Sequence, residues 1–158
     1  MKIGVFVHSQ SGNTARFGLA ITHALREKNQ DVDVELLRPL GKVRPRARHI
    51  EFRTLPEIEE YDVLLFGGPI WAFSASPVLL SLFNRLPSLK GKKTLCFTTS
   101  ALPPSFSEKK AQNRMRDSLE SLGATVLPGV SLFWGLWCGK KKLDAAVDKV
   151  ISTVLAGS

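Results

Sequence analysis

The chain has 158 residues, 44% of them hydrophobic, and a formal net charge of +8. That length supports a single domain over residues 1–158 and leaves little material for a second core. No stretch approaches the ~18 apolar residues of a spanning helix, and the run from Met1 to His8 is too short for a secretion signal, so no membrane insertion is expected and the chain is placed in the cytoplasm.

Apolar runs alternate with helical patterns along the whole chain, as in a parallel sheet covered by helices. A first strand is predicted over Ile3 to His8. A helix opening near Asn13 follows, with Phe17, Ala20, Ile21, Ala24 and Leu25 on one face and its end by Asn29-Gln30. Val32 to Leu37 forms a second strand in which Asp33 and Glu35 alternate with Val32, Val34 and Leu36, the pattern of a sheet edge. Arg38 to Pro56 has three prolines and no apolar stripe, which predicts a loop with at most a short helix.

Tyr61 to Phe66 is the third strand. Ser76-Pro77 reads as an N-cap with proline at the first helical position, followed by a buried face of Val78, Leu79, Leu82, Phe83 and Leu86. Thr94 to Thr98 is the fourth strand. A helix around Glu108 to Leu122 turns Ala111, Met115, Leu119 and Leu122 inward and stops at Gly123. The fifth strand spans Thr125 to Trp134, and Pro128-Gly129 within it predicts a bulged edge. A last helix covers Lys140 to Leu155. The fold class is therefore α/β, a three-layer doubly wound parallel sheet of five strands in the order 2-1-3-4-5, whose ligand belongs beyond the carboxyl ends of strands one and three.

The loop at that position reads Ser9-Gln10-Ser11-Gly12-Asn13-Thr14, between a strand and a helix. A helix start has unpaired N–H groups and partial positive charge, and Gly12 allows the tight turn, so three hydroxyls and the backbone can hold a phosphate without a cationic side chain. An ordinary capped turn is the alternative. The loop is neither the G-x-G-x-x-G of dinucleotide sites nor the G-x-x-x-x-G-K-[ST] of triphosphate sites.

With the later loop Gly67-Gly68-Pro69-Ile70-Trp71-Ala72-Phe73, the hexapeptide resembles the flavodoxin family over nearly the whole chain. The resemblance implies a non-covalent FMN. Ser9, Gln10, Ser11, Gly12, Asn13 and Thr14 would hold its phosphate, and Pro69, Ile70, Trp71, Ala72, Phe73 with Thr98, Thr99, Ser100 and Ala101 would flank the isoalloxazine ring. Trp71 and Phe73 suit a flavin face, though either could pack against the Ser76 helix instead. The loop from Thr98 to Phe106 departs from many flavodoxins in having no tyrosine to cover the ring, and a stacking role for Phe106 has little behind it.

The implied function is electron transfer through the flavin, with no side chain required as acid or base. The alternatives are an FMN-dependent NAD(P)H:quinone-type oxidoreductase, favoured by an uncovered flavin face, and a flavin-free binding module. Arg38, Lys42, Arg44, Arg46, Arg48 and Arg53 crowd a segment whose one carboxylate is Glu51. That segment is either a solvated loop or a docking face for an acidic redox partner, ahead of nucleic acid, and if close to the flavin it would make the second-electron potential less negative. A homodimer is left open.

His8, His23 and His49 lack partners at ligand spacing, so no metal is expected. Cys96 and Cys138 form neither a disulfide framework nor a metal spacing and read as free thiols. Trp134 and Trp137 are expected to cover the sheet end or an interface rather than the flavin.

Overall fold

The computed structural model describes residues 1–44, 47–71, 74–101, 106–135 and 139–157. Its elements in chain order are β1 (Lys2–Val7), α1 (Asn13–Glu27), β2 (Asp31–Leu36), β3 (Val63–Pro69), α2 (Pro77–Phe83), β4 (Lys93–Ser100), α3 (Phe106–Ser121), β5 (Thr125–Val126), β6 (Val130–Phe133) and α4 (Lys140–Ala156). All strands pair in parallel in the order β2-β1-β3-β4-β5, with β6 also on β4. This is the expected doubly wound topology. The expectations for Arg46, Trp137 and Cys138 lie outside the described residues.

Strand alternation divides the core between the two faces of the sheet. Ile3, Val5, Val7, Val63, Leu65 and Phe97 meet Phe17, Ile21 and Leu25 of α1 and Leu143, Val147 and Val150 of α4. On the other face Phe6, Leu64, Phe66 and Cys96 meet Val78, Leu79, Leu82 and Phe83 of α2 and Ala111, Met115 and Leu119 of α3. Two close approaches depend on glycine. A Cβ on Gly18 would sit 2.6 Å from a Val7 methyl, and one on Gly67 would sit 2.1 Å from the Phe97 ring.

The single fifth strand expected from Thr125 to Trp134 is divided in two. Between the pairs Thr94 with Val126 and Phe97 with Val130, β4 advances three residues while its neighbour advances four, leaving one extra residue. Pro128 has no N–H to offer a ladder, and Gly129 passes so close to β4 that a Cβ there would lie 2.9 Å from the Cys96 carbonyl oxygen.

The connection from β2 to β3 contains no helix among its described residues, yet it closes the core. Val43, Ile50 and Phe52 are buried against the α2 face, and an antiparallel bridge pairs Pro39 with Phe52. Their irregular spacing leaves no stripe to read, because each apolar side chain fills a separate gap. The alternation expected in β2 also fails at its end, where Leu36 is 48% exposed and Leu37 turns into the core.

Candidate functional site

At the carboxyl ends of β1, β3 and β4 three loops converge. The first opens α1 through Gly12, whose φ of 93° is a left-handed conformation natural to glycine and strained for a residue with a side chain. The Gly12 N–H donates to Ser9 Oγ at 3.2 Å, which folds the loop back on itself. No side chain caps α1 and its first turn contains no acidic residue, so the ordinary capped turn is not what forms here. Gln10, Ser11 and Gly12 are exposed, and Ser9 and Asn13 are half-buried.

Thr14 differs from the other hydroxyl residues of the loop. It is buried, and its Oγ1 lies 2.7 Å from Thr99 Oγ1 at the end of β4. The pair joins the first loop to the third, leaving Thr14 its backbone N–H for a ligand. Thr98 is likewise turned inward, with Oγ1 2.8 Å from Ser131 Oγ. Of the stretch expected at the ring edge, Ser100 is half-buried and Ala101 exposed.

The second loop leaves β3 at Pro69. The Ile70 N–H donates to the Thr99 carbonyl at 2.9 Å, and Trp71 and Ser74 exchange backbone hydrogen bonds of 3.0 and 2.8 Å. Half-buried Trp71 meets the His8 ring edge-on, with centroids 5.1 Å apart and planes at 83°. The expectations for Ala72, Phe73 and the Phe106 side chain lie outside the described residues.

His8 is the residue that sequence reasoning missed. It is 3% exposed, and its Nδ1 lies 2.8 Å from Ser76 Oγ. Burial lowers its pKa to about 4, so the ring is neutral at pH 7. The neutral ring and the Ser76 hydroxyl share one hydrogen bond through Nδ1, its direction set by the tautomer, and the same Ser76 oxygen accepts the Leu79 N–H as the α2 cap. One chain of contacts thus runs from α2 through Ser76 and His8 to Trp71. The available signal was a polar residue ending an otherwise apolar strand.

Arg16, one turn into α1, was also not singled out. Its guanidinium lies 5.4 Å from the centre of the Trp134 ring. Trp134 donates its backbone N–H to the Ser100 carbonyl at 2.6 Å, so it covers the sheet end beside the third loop.

The geometry fits a phosphate-bearing flavin in its donor set: an uncapped helix start, the exposed Ser11 hydroxyl, a left-handed glycine with open space where a Cβ would sit, and a supported indole at the next loop.

A family model described as NADPH-dependent FMN reductase matches residues 1–137. Among solved structures, oxidised flavodoxin 1 from Bacillus cereus is 21% identical with a TM-score of 0.70, covering 98% of this chain and 97% of that one. Flavodoxin 2 from Bacillus cereus is 17% identical with a TM-score of 0.73, covering 99% of both chains. Rubredoxin oxygen:oxidoreductase from Desulfovibrio gigas matches 98% of this chain with 35% of its own, at 12% identity and a TM-score of 0.67. These structures share the fold. No curated protein sequence matches.

Proposed function

The chain belongs to the NADPH-dependent FMN reductase family, a flavodoxin-like family that binds FMN, and from that premise we propose that residues 1–158 form one domain holding FMN at the three converging loops and transferring electrons through it. The uncapped start of α1 behind the left-handed Gly12 is the observation that carries this reading.

Ser9, Gln10, Ser11, Gly12, Asn13 and Thr14 bind the phosphate, the first by hydroxyl and the last by backbone N–H. Pro69, Ile70 and Trp71, with Ala72 and Phe73, line one side of the ring, and the backbone from Thr98 to Ala101 meets its polar edge. His8 holds Trp71 in place as a positioning residue. Bound FMN supplies a carrier of one or two electrons, while the protein sets its orientation and excludes water. No side chain acts as acid or base in this reading.

A second reading, favoured by the family match, has NADPH reduce the flavin directly. The acceptor in that reading is a quinone or another small molecule, whereas an electron carrier would dock an acidic redox protein on the exposed cations Arg38, Lys42, Arg44 and Arg53. The nearby carboxylate Glu51 is already 3.4 Å from Arg85. Cytoplasmic location and a homodimer belong to the same proposal. Among the described residues no helix is long and apolar enough to cross a membrane.

The test is a titration of flavin-stripped protein with FMN, followed by flavin fluorescence, with riboflavin as the control without phosphate. Tight FMN binding and much weaker riboflavin binding support the phosphate loop, and no FMN binding by folded protein overturns the proposal. Oxidation of NADPH by the loaded protein decides the second reading.

A further inference from the structure

A cleft of about 530 Å³ crosses the outer side of α2. Its lining includes Ala75, Pro77, Leu80 and Asn84, together with Arg48 from the β2 to β3 connection and Arg114 from α3. The cleft begins at Ser74, the backbone partner of Trp71, and so opens beside the ring loop. A smaller cavity shares Ser74, Ala75 and Arg114 and adds Lys110.

Every charged side chain lining the two cavities is cationic. Arg48 and Arg114 are exposed, and neither enters an ion pair among the described residues. Two arginines from separate elements line one concave space with no carboxylate among its lining residues, so their like charges are left uncompensated there. A phosphate monoester matches that lining in charge, and the guanidinium fork is the side-chain group suited to bidentate contact with its oxygens. An extended polyanion would call for cations spread along a track, whereas these converge on one cleft.

We infer that this cleft takes the adenosine 2′-phosphate end of NADPH, with Arg48 and Arg114 clamping the phosphate and setting the preference for NADPH over NADH. The inference rests on the reading that NADPH is the direct electron donor. The nicotinamide end would then point past Ser74 toward Trp71, and the phosphate that distinguishes the two nucleotides would lie in the cationic part of the cleft. Lys110, beside Arg114, adds positive potential without the planar fork.

The experiment compares binding of adenosine 2′,5′-bisphosphate and ADP by calorimetry, in wild type and in Arg48→Ala, Arg114→Ala and Arg114→Lys. Wild type is expected to bind the bisphosphate at least about tenfold more tightly, and each alanine variant to lose about tenfold of that affinity. Arg114→Lys keeps the charge but not the fork, so it should fall between. The kinetic preference for NADPH over NADH should drop in step. Equal affinity for the two nucleotides, or unchanged bisphosphate binding in variants with native circular dichroism, would overturn the inference. Failure of the wild type to bind FMN or oxidise NADPH would overturn the underlying reading, and the nucleotide titration, which needs no flavin, reports on the cleft separately.

Discussion

Acidification should weaken this protein through His8. In the folded chain the imidazole titrates at about 4, against an ordinary value of 6.5, because burial disfavours its charged form. A base whose folded pKa is depressed binds fewer protons folded than unfolded. Its contribution to stability is therefore intact above pH 6.5 and is lost as pH falls toward 4. The shift of about 2.5 units corresponds to about 3 kcal/mol, a sizeable part of the stability of a domain this small. Glu35 and Glu108 act in the opposite sense: burial raises both carboxyl pKa values, so protonation on acidification favours the folded state at those positions. The His8 contribution is isolated by comparing wild type with His8→Asn, which removes the titration, in urea unfolding at pH 7 and pH 4.5. Wild type should lose about 2 kcal/mol more than the variant over that range. Equal losses would refute the argument and imply that the ring charges readily in the folded state. Because Trp71 leans on the same ring, the flavin affinity of the folded protein should hold down to about pH 5 and fall only as pH approaches 4, where the buried ring itself charges.

Three further outcomes are expected. Gly12→Ala should cost about 1–2 kcal/mol of stability, because φ is 93° there, and should weaken FMN binding more than riboflavin binding; a stability equal to wild type in thermal denaturation would count against the left-handed turn. Thr14→Val or Thr99→Val alone should cost about 1–3 kcal/mol by stranding one buried hydroxyl, while the double replacement should cost less than the sum, as a double-mutant cycle would reveal. Trp71→Ala should weaken FMN by about 1–3 kcal/mol if its face meets the ring, and unchanged affinity in a fluorescence titration would remove it from the site.

Elements whose signals are local were legible in the sequence. The Ser76 cap with Pro77 behind it, the stop at Gly123 and the parallel apolar runs each depend on residues within one turn or one strand, and each has its expected place. The bulge at Pro128-Gly129 was legible for the same reason. What was not legible depends on contacts made only after folding. His8 meets Ser76 across 68 residues and Thr14 meets Thr99 across 85, and neither pair carries any periodicity. Val43, Ile50 and Phe52 were equally hidden, since a loop that plugs a core needs apolar residues only where the gaps happen to fall.

The first loop shows why a motif overstates its ligand set. Read as a string, Ser9, Ser11 and Thr14 are three equivalent hydroxyls arranged around a glycine. In the fold, Thr14 spends its hydroxyl on Thr99, and Ser9 accepts the Gly12 N–H. Only Ser11 carries an exposed hydroxyl with no such structural duty, so in the proposed site phosphate recognition would rest more on backbone N–H groups than the motif implies. Backbone donors are not removed by side-chain substitution, and serine replacements in this loop should therefore weaken FMN less than the distortion of Gly12. The same division of labour holds at the ring. His8, held by Ser76, meets the Trp71 ring and the Thr14 to Thr99 bond ties the first loop to β4, so both halves of the proposed flavin site are anchored to the sheet. If FMN sits at these loops, access of a nucleotide to the cleft beside Ser74 is what would separate a reductase from a carrier.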